Sequence, residues 1–109
     1  MSAGKMFSLL EKDRFGRPED SEGTLENILQ SDVLIIDDLG TEMKTGFTLS
    51  ALYQIINGRI NENKSTIINT NLSVAELKKE YDDRICSRLF GCFESFLFLG
   101  EDIRLKKRG

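Results

Sequence analysis

Histidine is absent from the 109-residue chain, and cysteine occurs only at Cys86 and Cys92. With no imidazole to join two thiols, a zinc site would have to recruit carboxylates at spacings the sequence does not supply. Both cysteines are therefore expected as reduced, partly buried thiols. Long apolar runs are also missing. None approaches the roughly 20 residues that span a bilayer, and no charged-then-apolar leader opens the sequence, so no membrane partner and a cytoplasmic location are expected. A strong positive excess is lacking too, since the formal net charge is -3. The chain as a whole is thus not biased toward nucleic acid, and an anionic partner would need a local patch. The only such patch is the terminal RLKKRG, with Arg104, Lys106, Lys107 and Arg108; short terminal charge runs are mostly solvated.

The length suits one small domain with one core. A composition of 39% hydrophobic and 30% charged residues suits a soluble globular protein. AGKMFSLLEKD, residues 3 to 13, spaces Met6, Leu9 and Leu10 as a helix does. The loop RFGRPEDSEG follows, marked by Gly16, Pro18 and Gly23. TLENILQ sets Leu25, Ile28 and Leu29 on one helical face with Thr24 as a candidate N-cap. From Thr48 to Asn63, Leu49, Leu52, Tyr53, Ile56 and Ile60 form the stripe of a core-facing helix. STIINT is a β-branched strand, and Ser73 and Glu76 form a capping box that opens a helix carrying Leu77 and Tyr81. RICSRLFGC spaces Ile85, Leu89 and Cys92 for packing and leaves Arg84 and Arg88 one turn apart on another face. ESFLFLG reads as a third, nearly all-apolar strand. Strands alternating with helices predict parallel β-α-β units in an α/β layer fold.

The stretch VLIIDDLG runs four apolar residues into two adjacent carboxylates, Asp37 and Asp38. In parallel α/β sheets ligands sit beyond the carboxyl ends of the strands, where a strand can leave the core and end in polar groups. Adjacent carboxylates repel, and burying either without compensation costs several kcal/mol, so a cation or strong donors should lie close by. Mg2+ with a nucleotide phosphate would supply that compensation. Ordinary turn chemistry, with Asp and Gly leading out of the strand, accounts for the same four letters.

The order of motifs separates these readings. VLIIDDLGTE, STIINTNLSVAEL, DRICSRL and GEDIR together resemble the AAA+ ATPases of the bacterial helicase-loader family, the DnaC-like and IstB-like ATP-binding proteins, over roughly residues 33 to 104. The resemblance implies a partial P-loop NTPase (AAA+) three-layer α/β fold with the family's parallel strands 3, 4 and 5 and flanking helices. Residues 1–109 would then be the C-terminal part of one ATPase domain. Residues 3–31 are its helical segment before Walker B, 32–104 run from Walker B to sensor 2, and 105–109 are a basic tail.

Carried over residue by residue, the resemblance makes Asp37 the Walker B acid that holds Mg2+ through water and Asp38 the second acid that orients the attacking water. Many AAA+ members have glutamate at that second position, and the shorter aspartate implies slow turnover. Asn71 matches the sensor-1 polar residue, Arg88 the arginine finger that reaches a neighbouring subunit's γ-phosphate, and Arg104 the sensor-2 residue that touches nucleotide phosphate. ATP and Mg2+ are the implied cofactors. A replicative helicase, single-stranded DNA and self-association are the implied partners, and Lys12, Arg14 and Arg17 are the candidate DNA contacts.

The sequence departs from the family in having no G-x-x-x-x-G-K-[ST] loop; SAGKMF lacks the earlier glycine and the hydroxyl after lysine. Weak or absent nucleotide binding by this chain alone is expected, and a truncated ATPase, inactive alone, is the implied state. A non-enzymatic ATPase remnant acting as an interaction module and a transposase-accessory ATP-binding protein are the alternatives. With the family's strand order 5-1-4-3-2, the strand SFLFL would have no neighbour between itself and TIINT. Its edge, Phe96 to Leu99, would then be prone to association.

Overall fold

The computed structural model describes residues 1–16, 23–98 and 102–107, with side chains described as far as residue 91. Helices α1 (Ala3–Phe15) and α2 (Thr24–Gln30) precede strand β1 (Val33–Leu39), helix α3 (Gly46–Asn61) and strand β2 (Ser65–Thr70). Helices α4 (Val74–Glu80) and α5 (Asp83–Cys92) and strands β3 (Phe93–Phe98) and β4 (Asp102–Lys107) follow. The predicted β-α-β unit is present: β1 and β2 pair in parallel from Val33↔Ser65 to Ile36↔Ile68, with α3 between them in sequence.

Alternation along the strands sorts their side chains. Leu34, Ile36 and Leu39 of β1 and Thr66, Ile68 and Thr70 of β2 are buried, while Val33 and Ile35 are 56% and 43% exposed. The described helices close one face of this part of the sheet and leave the other open, so β1 is buried on one side only. Ala3, Met6, Phe7 and Leu10 of α1, Leu52, Ile55 and Ile56 of α3, and Leu77, Ile85 and Leu89 of α4 and α5 complete a single core with those strand residues. The stripe predicted for α3 is partly shifted. Leu52 and Ile56 are in the core, but Leu49, Tyr53 and Ile60 pack at its rim and Ile55 takes a central place.

The helix starts show the capping chemistry at work. At α4 the Ser73 hydroxyl accepts from Glu76 N at 3.2 Å while a Glu76 carboxylate oxygen accepts from Ser73 N at 3.0 Å, the reciprocal box expected from the sequence. That backbone N–H first, and the hydroxyl second, hold the Glu76 carboxyl below its usual range. At α3 the cap is Thr45, three residues ahead of the predicted start, in a second box with Thr48. Thr45→Ala should lower stability by about 1 kcal/mol in a urea titration. Thr24 is the first residue of α2 rather than its cap. Gly23, at φ 64°, holds the cap position, and Asp13 of α1 accepts from Thr24 N at 2.8 Å.

Arg59, in the last turn of α3, is wholly buried. Its Nε donates to Thr66 Oγ1 at 2.8 Å, Nη1 donates to Ile28 O at 2.6 Å and Ser31 O at 2.8 Å, and Nη2 donates to Ser65 O at 2.6 Å. One guanidinium thereby closes the carboxyl end of α2, whose last carbonyls have no intrahelical partner, onto the start of β2. Burial pulls the Arg59 pKa below its ordinary value, and the charge of Asp32 partly offsets that shift.

Two fold expectations need correction. The three parallel strands 3, 4 and 5 become two parallel strands and an antiparallel hairpin, in the order β1-β2-β4-β3. β4 pairs antiparallel with β2 from Ile67↔Lys106 to Thr70↔Ile103, and β3 pairs antiparallel with all six residues of β4. The slot expected to be empty beside STIINT is filled by DIRLKK, which supplies backbone partners to both neighbours. Leu105 to Lys107, expected in a solvated basic tail, therefore lie in a strand. The three-layer arrangement is also not seen among the described residues, because Val33 and Ile35 emerge on an uncovered sheet face.

Candidate functional site

The paired acids sit where β1 leaves the parallel ladder. Ile36 is level with Ile68 and Leu39 with Thr70, so Asp37 and Asp38 together span the place opposite Asn69 alone. This is a β-bulge, with two residues against one. Asp38 adopts φ 59°, in the left-handed region that aspartate tolerates better than most side chains. The bulge explains how a strand bearing two acids can stay packed. Strict alternation from Leu34 and Ile36 would turn position 38 into the core, and the extra residue sends Asp38 to solvent and returns Leu39 inward, 1% exposed.

Asp37 is half-buried on the same side of β1 as Ile35. Its Oδ1 accepts from Asn69 Nδ2 at 2.6 Å, and its N–H donates to Met1 O at 2.8 Å. The donor demanded by a carboxylate at this depth is thus a strand neighbour. Sensor-1 matching selects Asn71, but Asn71 lies past the end of β2 and is exposed, while Asn69 reaches Asp37. The signal for Asn69 was its place inside β2, level with the acids once β1 and β2 pair in register.

The described arginines among the predicted site residues are spread over three elements. Arg88 lies half-buried in α5. Arg84, one turn earlier, stacks with Cζ 4.1 Å from the Tyr53 ring centroid and Nη2 3.9 Å from Asp82 Oδ2, so it is committed to the helix surface. Arg104 is in β4, and its backbone is directly opposite Asn69 in the β2–β4 ladder. The fold therefore brings the Arg104 position beside the Asp37–Asn69 pair, while its side chain lies outside the description. Lys12 and Arg14 are in the last turn of α1, with Arg14 Cζ 5.9 Å from the Phe15 ring; Arg17 lies outside the described residues.

A model of the IstB-like ATP binding protein family matches residues 1–107. The chain belongs to that family. No curated protein and no solved structure gives a match. Membership covers the bulge, the second strand and the arginine-bearing helix alike, and it agrees with a small α/β unit built on two parallel strands. No helix among the described residues is long and apolar enough to cross a membrane.

The residues present fit one part of an Mg2+ site. Among the described residues no group of three or more His, Cys, Asp or Glu side chains is gathered to cage a metal. Mg2+ usually keeps several waters and takes one or two carboxylates, with substrate phosphates completing its shell. A half-buried Asp37 steadied by Asn69, with exposed Asp38 adjacent, matches that limited demand.

The turn after the acids contains residues that motif matching passed over. Glu42 is 8% exposed; its Oε1 accepts from Gly40 N at 2.8 Å and its Oε2 accepts from Tyr81 Oη at 2.5 Å. Lys44 Nζ donates to Gly40 O, lies 3.7 Å from Glu80 Oε2 and sits 5.7 Å from the Tyr81 ring centroid. Thr41 N and Oγ1 both donate to Asp38 O, and Thr70 Oγ1 donates to Leu39 O. Gly40, at φ 112°, has no room for a side chain: a Cβ there would lie 2.6 Å from Leu72 Cδ1. Burial first, and the bond to Glu42 second, push the Tyr81 hydroxyl well above its ordinary pKa, so it stays a donor.

Proposed function

We propose that the chain supplies the acidic and sensor half of an AAA+ site that binds and hydrolyses ATP. The observation that carries this reading is the bulge at the mouth of the parallel strands, which holds Asp37 against Asn69 and turns Asp38 outward. In this reading Asp37 would hold Mg2+ and Asp38 would orient the attacking water. Asn69 steadies Asp37, and Asn71 waits at the strand tip for the γ-phosphate side. Arg88 serves a neighbouring subunit's nucleotide, and Arg104 meets phosphate from β4. When bound, the ion would neutralise phosphate charge; the chain's own part is to hold the acids in place.

The biological setting proposed is DNA replication, as a cytoplasmic protein of the replicative helicase-loader type that meets single-stranded DNA. A transposase-accessory role shares these motifs. Joined to a Walker A segment of an IstB-like relative, the chain should hydrolyse ATP in an Mg2+-dependent way. Asp38→Asn and Arg88→Ala should each lower the rate at least about 100-fold, as loss of one transition-state contact does. Unchanged turnover in both would overturn the reading.

A second reading, a non-enzymatic module that docks on another copy of itself, draws on the uncovered Val33 and Ile35 side chains. It requires a nucleotide-independent dimer in sedimentation velocity, and a monomer throughout would remove it.

A further inference from the structure

Every main-chain polar group named in the turn after Asp38 is engaged, and one carboxylate ties that turn to a distant helix junction. Asp38 O, Leu39 O, Gly40 N and Gly40 O are taken by Thr41, Thr70, Glu42 and Lys44 respectively. Two of these partners also reach the end of α4: Lys44 through the Glu80 carboxylate at 3.7 Å, and Glu42 through a direct hydrogen bond from the hydroxyl of Tyr81, 39 residues away in sequence. A residue in the left-handed region persists only where its surroundings over-determine it, and this bonding supplies that constraint for Asp38.

Tyr81 is 3% exposed and closes α4, its N–H donating to Leu77 O at 3.0 Å. Two residues later α5 begins, with Ile85 N donating to Asp82 Oδ1 at 2.9 Å and Cys86 Sγ lying 3.7 Å from Tyr81 O. The Tyr81 main chain is therefore fixed to the helix that bears Arg84 and Arg88, and its side chain is fixed to the turn that follows Asp37 and Asp38. A carboxylate this deep could also serve as an acid–base or metal group. Here both of its oxygens are already used inside the protein, one by a backbone N–H and one by a phenol, which is the bonding of a brace.

We propose that Glu42 is a positioning residue: with Tyr81 it forms a strut that makes the acid-bearing turn and the α4–α5 junction move as one unit. The inference rests on the ATPase reading for what is being positioned, namely the cis acids and the trans arginine. The strut itself needs no nucleotide. It acts by hydrogen bonding, so an amide can replace the carboxylate: Gln at position 42 can accept from Gly40 N and donate to the Tyr81 oxygen.

Amide hydrogen exchange of the free 109-residue chain, measured residue by residue by NMR, tests this. In Tyr81→Phe and in Glu42→Ala, exchange at Gly40 and at Ile85 and Cys86 should accelerate together by at least about tenfold, the equivalent of about 1.4 kcal/mol in a local opening equilibrium. The amides of Leu52 and Ile56 in α3 should change much less. Glu42→Gln should restore protection at both ends. Acceleration spread evenly over α3, the turn and α5 would mean only general loss of stability and would overturn the strut. So would acceleration at Gly40 with α5 unchanged, unaltered exchange at Gly40, or failure of Glu42→Gln to protect. Should Glu42→Ala not fold, Tyr81→Phe carries the same comparison. An Asp38→Asn enzyme with normal turnover alongside the expected exchange pattern would remove the ATPase reading and leave the strut standing.

Discussion

Arg59→Ala should lower the unfolding free energy by about 3–5 kcal/mol, because removing a buried cation bonded through all three of its nitrogens strands the groups it served. The side chain is wholly buried, and its bonds run to carbonyls of Ile28, Ser31 and Ser65 and to the Thr66 hydroxyl. Taking away the guanidinium leaves those acceptors in a space too deep for easy hydration and opens a cavity at the α2–α3–β2 junction. A small domain has only about 5–15 kcal/mol to lose, so the variant should be substantially unfolded at temperatures the parent tolerates. Arg59→Lys should recover only part of the loss, since three ammonium donors on a flexible stem cannot serve six acceptors arranged around a planar fork. Urea unfolding followed by circular dichroism measures both values. A loss below about 1 kcal/mol in Arg59→Ala would mean that water readily replaces the guanidinium.

Where the signal was local, much of this framework was legible in the sequence. VLII and STIINT announced β1 and β2 because β-branched residues crowd both, and the Ser73–Glu76 box marked the start of α4 because each partner lies within reach of the other's backbone. Longer-range facts were hidden. Arg59 looks like an ordinary last-turn arginine until three segments converge on it. β4 was missed although Ile103 and Leu105 alternate with Arg104 and Lys106, a period-two signal that the charge of the tail obscured. Glu42 and Tyr81 are far apart in sequence, and nothing in GTEMKT shows that its acid is buried.

The site was legible in part. The motif order placed Asp37 and Asp38 at a strand end, and the family match over residues 1–107 agrees with the IstB-like resemblance. It did not show that Asn69 would be the residue touching Asp37, because that depends on the register of the neighbouring strand. The bulge was equally invisible, since two residues stand opposite one only after pairing.

A substitution series at Asp38 separates backbone geometry from chemistry. At φ 59° the position suits glycine, admits asparagine nearly as well as aspartate, and resists a β-branched side chain. Asp38→Gly and Asp38→Asn should therefore leave stability within about 1 kcal/mol of the parent, whereas Asp38→Val should cost about 2–3 kcal/mol as the bulge strains or rearranges. If the bulge collapsed into regular pairing, position 38 would turn toward the core and Leu39 would leave it, because a one-residue slip exchanges the faces of a strand. Hydrolysis in the Walker A-joined chain should follow another order, lost in all three variants because none retains the carboxylate. Stability would thus divide the variants two against one while activity would not divide them at all. Asp38→Val as stable as Asp38→Asn would mean that position 38 does not need the left-handed conformation, and the bulge could not then be what turns its carboxylate outward.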